Sequence, residues 1–135
     1  MAYWLVKSEP FKYSWDQMVK DGCTHWDGVR NHQAAGNLRA MQVGDRAFFY
    51  HSNEGKEIVG VVEIVRTAYP DPGDESGKFV MVDVAPIGQV KRPVTLAEMK
   101  ADPRLADLAL IRQSRLSVVP VSDAHWAIIA ELAGL

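Results

Sequence analysis

Short aromatic and β-branched runs alternate along this chain with turn residues and helix caps, and no run is long enough to dominate. This pattern constrains the fold most. Residues 2–7 read as a buried first strand, and residues 46–51, 58–66, 79–84 and 115–121 as further strands. Ser14 with Gln17 reads as a capping-box start of a short helix that Gly22 ends, and Thr95 with Glu98 opens another. Residues 32–41 suit a helix weakened by Gly36. Ser122 or Asp123 caps a terminal helix in which His125, Ile128, Ile129 and Leu132 recur at helical spacing, with Trp126 placed in the core. Turns are expected at Val43-Gly44-Asp45, at Tyr69-Pro70-Asp71-Pro72-Gly73-Asp74 and at Pro103. Strands with helices inserted between them predict a small mixed barrel of α+β class, with residues 1–135 as one domain.

At 135 residues the chain can bury about two thirds of its unfolded surface and needs neither disulfide nor structural metal. Cys23 is the single cysteine, and there is no apolar run of membrane-spanning length and no signal-like leader. A reducing cytoplasmic setting is therefore the expectation, with no membrane contact. The formal charge is −2, yet residues 52–88 carry three basic and seven acidic side chains, and residues 89–121 carry six basic and three acidic. That asymmetry is either incidental or the footprint of a basic face made by Lys91, Arg92, Arg104, Arg112 and Arg115. The total lacks the basicity of a strong nucleic-acid binder.

Trp26-Asp27-Gly28-Val29-Arg30-Asn31 places a tryptophan, an arginine and an amide in six residues. With Lys7-Ser8-Glu9-Pro10 and Phe48-Phe49-Tyr50-His51-Ser52-Asn53 it supplies rings and hydrogen-bonding groups without any catalytic spacing, as in a pocket that stacks and reads a flat ligand. Trp26, Phe49 and Tyr50 are the candidate ring surfaces; Ser8, Asn31, Ser52, Arg115 and Ser117 are the candidate edge-reading groups. Taken singly, each of these residue types also serves as core or turn cap; their clustering favours the pocket. Strand alternation puts Phe48 and Tyr50 on one side and Phe49 and His51 on the other, so they line one cavity only across a bulge. Alternation also gives Arg115, Ser117 and Val119 a common face, with Leu116 and Val118 in the core. Glu9 is aimed outward by the proline after it, either to pair with Arg30 or Lys7 or to accept from an exocyclic amine of a ligand.

The four histidines have no zinc-type spacing, and Cys23 with His25 lacks an orienting third group, so neither a metal site, a cofactor nor a thiol enzyme is expected. Phosphate-binding glycine loops and paired carboxylates are absent from the sequence.

At Tyr3–Pro10, Trp26–Asn31, Phe49–Ser52, Ile58-Val59-Gly60, Tyr69-Pro70-Asp71, Lys91–Leu96 and Arg112–Val118 the chain resembles the EVE-domain family, relatives of thymocyte nuclear protein within the PUA-like group that also includes YTH domains. The resemblance spans nearly the whole chain. It implies a PUA-like β pseudo-barrel, and a non-catalytic pocket that binds DNA or RNA by accepting a flipped, modified base such as methylated cytosine or adenine. In that scheme Trp26 stacks, Asn31, Ser52 and Ser117 read edges, and Arg30 and Arg115 meet phosphate or a base acceptor. Lys7, Lys91, Arg92 and Arg112 are backbone contacts, and the protein is expected to be a monomer. His32 stands where relatives often carry tyrosine. Two other classes stay open: a nucleoside-like small-molecule sensor or enzyme accessory domain, and an adaptor whose groove engages a peptide.

Overall fold

Tyr3–Ser8 (β1) leaves the N-terminus as a strand whose Trp4, Leu5 and Val6 are all buried, so it lies inside a sheet and not on its rim. Five more strands join it: β2 (Thr24–Trp26), β3 (Arg46–His51), β4 (Glu57–Pro70), β5 (Val80–Thr95) and β6 (Val118–Val121). The computed structural model describes residues 2–135 and arranges these six strands in the order β2-β5-β4-β3-β1-β6. The α+β class is as expected, but the sheet is open, with β2 and β6 at its edges. β1 runs parallel to β3, with Leu5 opposite Phe48, and antiparallel to β6, with Leu5 opposite Val119.

The helices are α1 (Trp15–Asp21), α2 (His32–Ala40), α3 (Leu96–Ala101), α4 (Ala109–Arg112) and α5 (Asp123–Leu132), with a 3-10 turn at Pro103–Leu105. Local chemistry sets their starts. Thr95 and Glu98 form the full reciprocal capping box, whereas Ser14 accepts from the Gln17 amide while the Gln17 side chain turns forward to Asp21, leaving half a box. Gly22 ends α1 in the left-handed region (φ 72°), where its missing side chain removes the strain.

Sheet edges and bends depart most from the sequence expectation. β5 continues to Thr95 through Pro86 and Gly88, because the ladder shifts register between Val61 and Val62 and absorbs them at an irregularity. β6 begins only at Val118, so alternation does not place Arg115 and Ser117; Leu116, Val118 and Val119 are all buried. β2, which no strand pattern in the sequence marks, pairs with β5, Trp26 opposite Val82.

Both faces of β3 are buried. Phe48 stacks on Trp126 of α5 with 3.8 Å between ring centroids, and Trp126 also stacks on Tyr3 at 4.3 Å. On the other face Phe49 meets the edges of Trp15 and Trp26, each at 5.5 Å. Phe48, Phe49 and Tyr50 are all buried because both faces of β3 are covered; the register shift after Phe49 puts its extra residue, Val59, in β4, so β3 keeps its alternation. Gly60 of β4 makes room for this aromatic layer: a β-carbon there would lie 2.4 Å from the Trp15 ring.

Candidate functional site

A cavity of about 550 Å³ opens where the end of β1, the turn after it, β2 and the loop before α2 come together. Trp26, the last residue of β2, forms its ring wall; only 8% of the residue is exposed, and Phe49 behind it and Tyr13 beside it hold it edge-on. The loop 27–31 is fixed by a buried carboxylate. Asp71 accepts the Gly28 amide and the Arg30 guanidinium on Oδ2, each at 2.9 Å, and the Gly73 amide on Oδ1 at 2.8 Å. Burial pushes the Asp71 carboxyl upward, but these hydrogen bonds from Gly28, Arg30 and Gly73 outweigh it and hold the group below the usual carboxylate range. Arg30 also donates to the Val29 carbonyl at 3.0 Å and lies 5.5 Å from the Phe79 ring centroid, so its head is aimed before any ligand arrives. Asn31 caps α2 by accepting the Ala34 amide at 3.0 Å, and His32 stacks on Phe79. Asn31 lines the cavity, and its amide nitrogen makes no hydrogen bond among the described residues.

The remaining expected residues divide between this cavity and a neighbour. Ser8, Glu9 and Ser117 line the first, although the Ser8 hydroxyl donates to the Tyr13 carbonyl at 2.6 Å and Glu9 pairs with Lys12 at 3.5 Å instead of Arg30 or Lys7. Tyr50, Ser52 and Arg115 line a second cavity of about 430 Å³, which shares Lys7, Glu9 and Ser117 with the first. Burial pushes the Tyr50 phenol up and the Lys7 ammonium down, and Lys7 donates to the Ser114 carbonyl at 2.8 Å. Phe49 is fully buried and reaches neither cavity: it supports the Trp26 ring and offers no surface of its own.

The basic face does not assemble. Arg92 is paired with Glu98 and the Leu132 carbonyl, Arg104 with Asp102, and Arg112 with Asp107 and the Ala106 carbonyl. Lys91 lies on exposed β5 beside Gly134. None of these four lines either cavity. Arg92, Arg104 and Arg112 thus resolve into local ion pairs, each with an acid within six residues, whereas Arg115 has no such partner among the described residues.

A family model for the EVE domain matches residues 2–132. The chain belongs to the EVE-domain family. Human thymocyte nuclear protein 1 is 33% identical over 97% of this chain and 73% of its own length. The NMR structure of Rpa0253 from Rhodopseudomonas palustris is 59% identical with a TM-score of 0.94, covering 99% of this chain and 94% of that one. A crystal structure of human THYN1 protein in complex with 5-methylcytosine-containing DNA is 34% identical with a TM-score of 0.92, covering 100% of this chain and 99% of that one.

Within this EVE domain three site residues escaped the sequence reading. Tyr13 packs edge-on to Trp26 at 6.5 Å and lines the cavity, but its place after the β1 turn carried no motif. Asp71 was visible only as a turn former. His25, also at the cavity wall, has Nδ1 2.8 Å from Asp83, whose other partner is the Tyr69 hydroxyl. Tyr69 is pushed up to about 12 by burial and by the Asp83 carboxylate it donates to. Asp83 is thus an orienting group for His25 that the sequence reading did not find. What these groups do together is to present one ring, fixed donors and acceptors, and an aimed guanidinium.

Proposed function

We propose that this EVE domain is a non-catalytic nucleic-acid-binding module whose first cavity accepts one base extruded from a strand and prefers a modified base, methylated cytosine foremost. The observation that carries this is the Trp26 ring set edge-on against Phe49 and Tyr13 in a cavity of about 550 Å³, within the range of roughly 300–1,000 Å³ typical of small-ligand sites. The human THYN1 protein crystallised with 5-methylcytosine DNA supports DNA as the first ligand to test, and RNA as the second.

Extruding a base costs a few kcal/mol, and stacking on one ring returns about 1–3 kcal/mol. Stacking alone therefore leaves little margin. Edge contacts from Asn31, the rim hydroxyl of Ser117 and the Arg30 head supply the rest, and an unmatched base leaves them unpaired in a desolvated pocket. A methyl group adds apolar contact against Trp26 and so favours the modified base.

The test is titration of short single-stranded and duplex DNA and RNA, each with and without 5-methylcytosine or N6-methyladenine, by wild type and Trp26→Ala at two salt concentrations. A methyl preference lost in Trp26→Ala is the expected result. Equal, salt-governed binding to every strand removes base reading and leaves charge alone. Binding of free nucleosides as tightly as strands turns the assignment to a small-molecule sensor.

A further inference from the structure

Of the fifteen lysines and arginines, Lys20, Arg46, Lys78 and Lys91 are scattered over the surface without a side-chain partner among the described residues, but two sets stand out. Arg30, Arg92, Arg104 and Arg112 each sit against a carboxylate. Lys56, Lys100 and Arg115 make neither an ion pair nor a side-chain hydrogen bond among the described residues, and all three are exposed at the wall of the second cavity. They come from three separate elements: the β3–β4 turn, the end of α3 and the segment after α4. The convergence of unpaired cations is thus a product of the fold and not of a basic stretch in the sequence.

Two further observations mark this cavity as built. Its floor is apolar, with Leu110 3% exposed and Leu96 and Ile111 partly buried beside Tyr50. The turn that carries Lys56 is strained: Asn53 and Lys56 hold φ of 66° and 47°, a conformation that disfavours non-glycine residues. The Lys56 carbonyl accepts the Leu96 amide at 2.8 Å, which pins the turn to the start of α3 and keeps the lysine over the cavity. The sole carboxylate at this wall, Glu9, already has Lys12 as its partner.

We infer that the second cavity is a subsite for the nucleotide that adjoins, on the same strand, the one whose base enters the first cavity. Its phosphodiester lies among Lys56, Lys100 and Arg115, and its sugar and base lie over Leu110 and Ile111. The inference rests on the proposed base-reading role, because the shared wall of Lys7, Glu9 and Ser117 makes the two cavities one continuous track. Cations over an apolar floor match a nucleotide, which is charged on one side and flat and apolar on the other. The track selects for a strand over a free nucleoside.

The experiment compares 5-methyl-2′-deoxycytidine with a DNA trinucleotide carrying 5-methylcytosine at its centre, each beside its unmethylated counterpart. Wild type, the double variant Lys56→Gln/Lys100→Gln and the control Arg92→Gln are titrated across a salt series, with thermal unfolding as the check on folding. Wild type is expected to bind the trinucleotide at least about tenfold more tightly than the nucleoside. The double variant keeps nucleoside affinity, loses most of that gain, and shows a salt slope shallower by up to about 0.7, the share of one phosphodiester. Arg92→Gln leaves both unchanged. A double variant that retains the gain and the slope overturns the subsite, as does one that loses nucleoside affinity in equal measure. Competition by a poly-glutamate peptide as effective as the trinucleotide also overturns it, in favour of an acidic peptide. Length gain and lysine dependence without methyl preference sink the base reading and leave the strand subsite standing; methyl preference without lysine dependence does the reverse.

Discussion

Asp45 and Asp71 are both buried to 4% exposure, and each collects three hydrogen bonds, yet they serve different ends of the molecule. Asp45 accepts from the Ala2 amide at 3.0 Å, the Trp4 indole at 3.1 Å and the Gln42 amide at 3.0 Å, tying the start of β1 to the turn before β3. Asp71 accepts from two backbone amides and from Arg30, a cation whose side chain is 41% exposed at the ligand cavity. In both, burial pushes the carboxyl up and the hydrogen bonds more than offset it. The lesson lies in the partners. A carboxylate that collects neutral donors holds the fold, whereas one that shares its charge with an exposed cation sets the direction of that cation.

The largest effect is expected from Asp45→Ala, which strands the buried Trp4 indole and two part-buried backbone amides. A loss of about 3 kcal/mol is expected, lowering the unfolding midpoint by roughly 10 °C, with strand affinity per folded molecule unchanged. Loss of affinity in the folded fraction breaks the division between the two carboxylates. Asp71→Ala is expected to cost about 2 kcal/mol in urea unfolding, less than Asp45→Ala because solvent reaches Arg30 once it is released. It also weakens strand binding about tenfold, as the loop 27–31 loses its anchor; unchanged binding removes the positioning role.

Arg30→Ala sharpens the contrast. Stability is expected to fall by at most about 1 kcal/mol, because Asp71 keeps both amides, while strand affinity falls and its salt slope flattens. The smallest effect is the pH dependence. Both carboxyls lie below their ordinary value of 3.8 in the fold, so the unfolded chain takes up protons first as pH falls. Their stabilisation is fully present well above 3.8 and is lost as pH drops through that value toward the folded pKa values. Urea midpoints between neutral and acid pH should fall less steeply in Asp45→Asn than in wild type; equal slopes contradict the assignment.

Much of the site was legible because it is written in neighbouring residues. Trp26, Arg30 and Asn31 are together in the sequence and together at the cavity wall. Phe49 was not legible, since its residue type suits a pocket as well as the layer behind one, and only the packing of Trp15 and Trp26 against it decides. The basic face failed for a related reason: the charge count of residues 89–121 cannot reveal that Arg92, Arg104 and Arg112 have carboxylates for neighbours. Arg115 was correctly joined to Ser117, but through a strand that does not reach them.

What the sequence determined by itself was everything carried over three or four residues. The caps at Thr95 and Ser122, the stop at Gly22 and the apolar face of α5 follow from hydrogen bonds and periodicity within one turn. Tertiary structure alone decided which distant groups meet. Asp71 reaches Gly28 across 43 residues, Trp26 becomes a strand residue only because Val82 lies opposite, and Lys56, Lys100 and Arg115 share a cavity only once α3 and α4 fold beside the β3–β4 turn. Local hydrogen bonds are closed by the chain next to them; contacts between remote segments depend on sheet register, which the whole core sets at once.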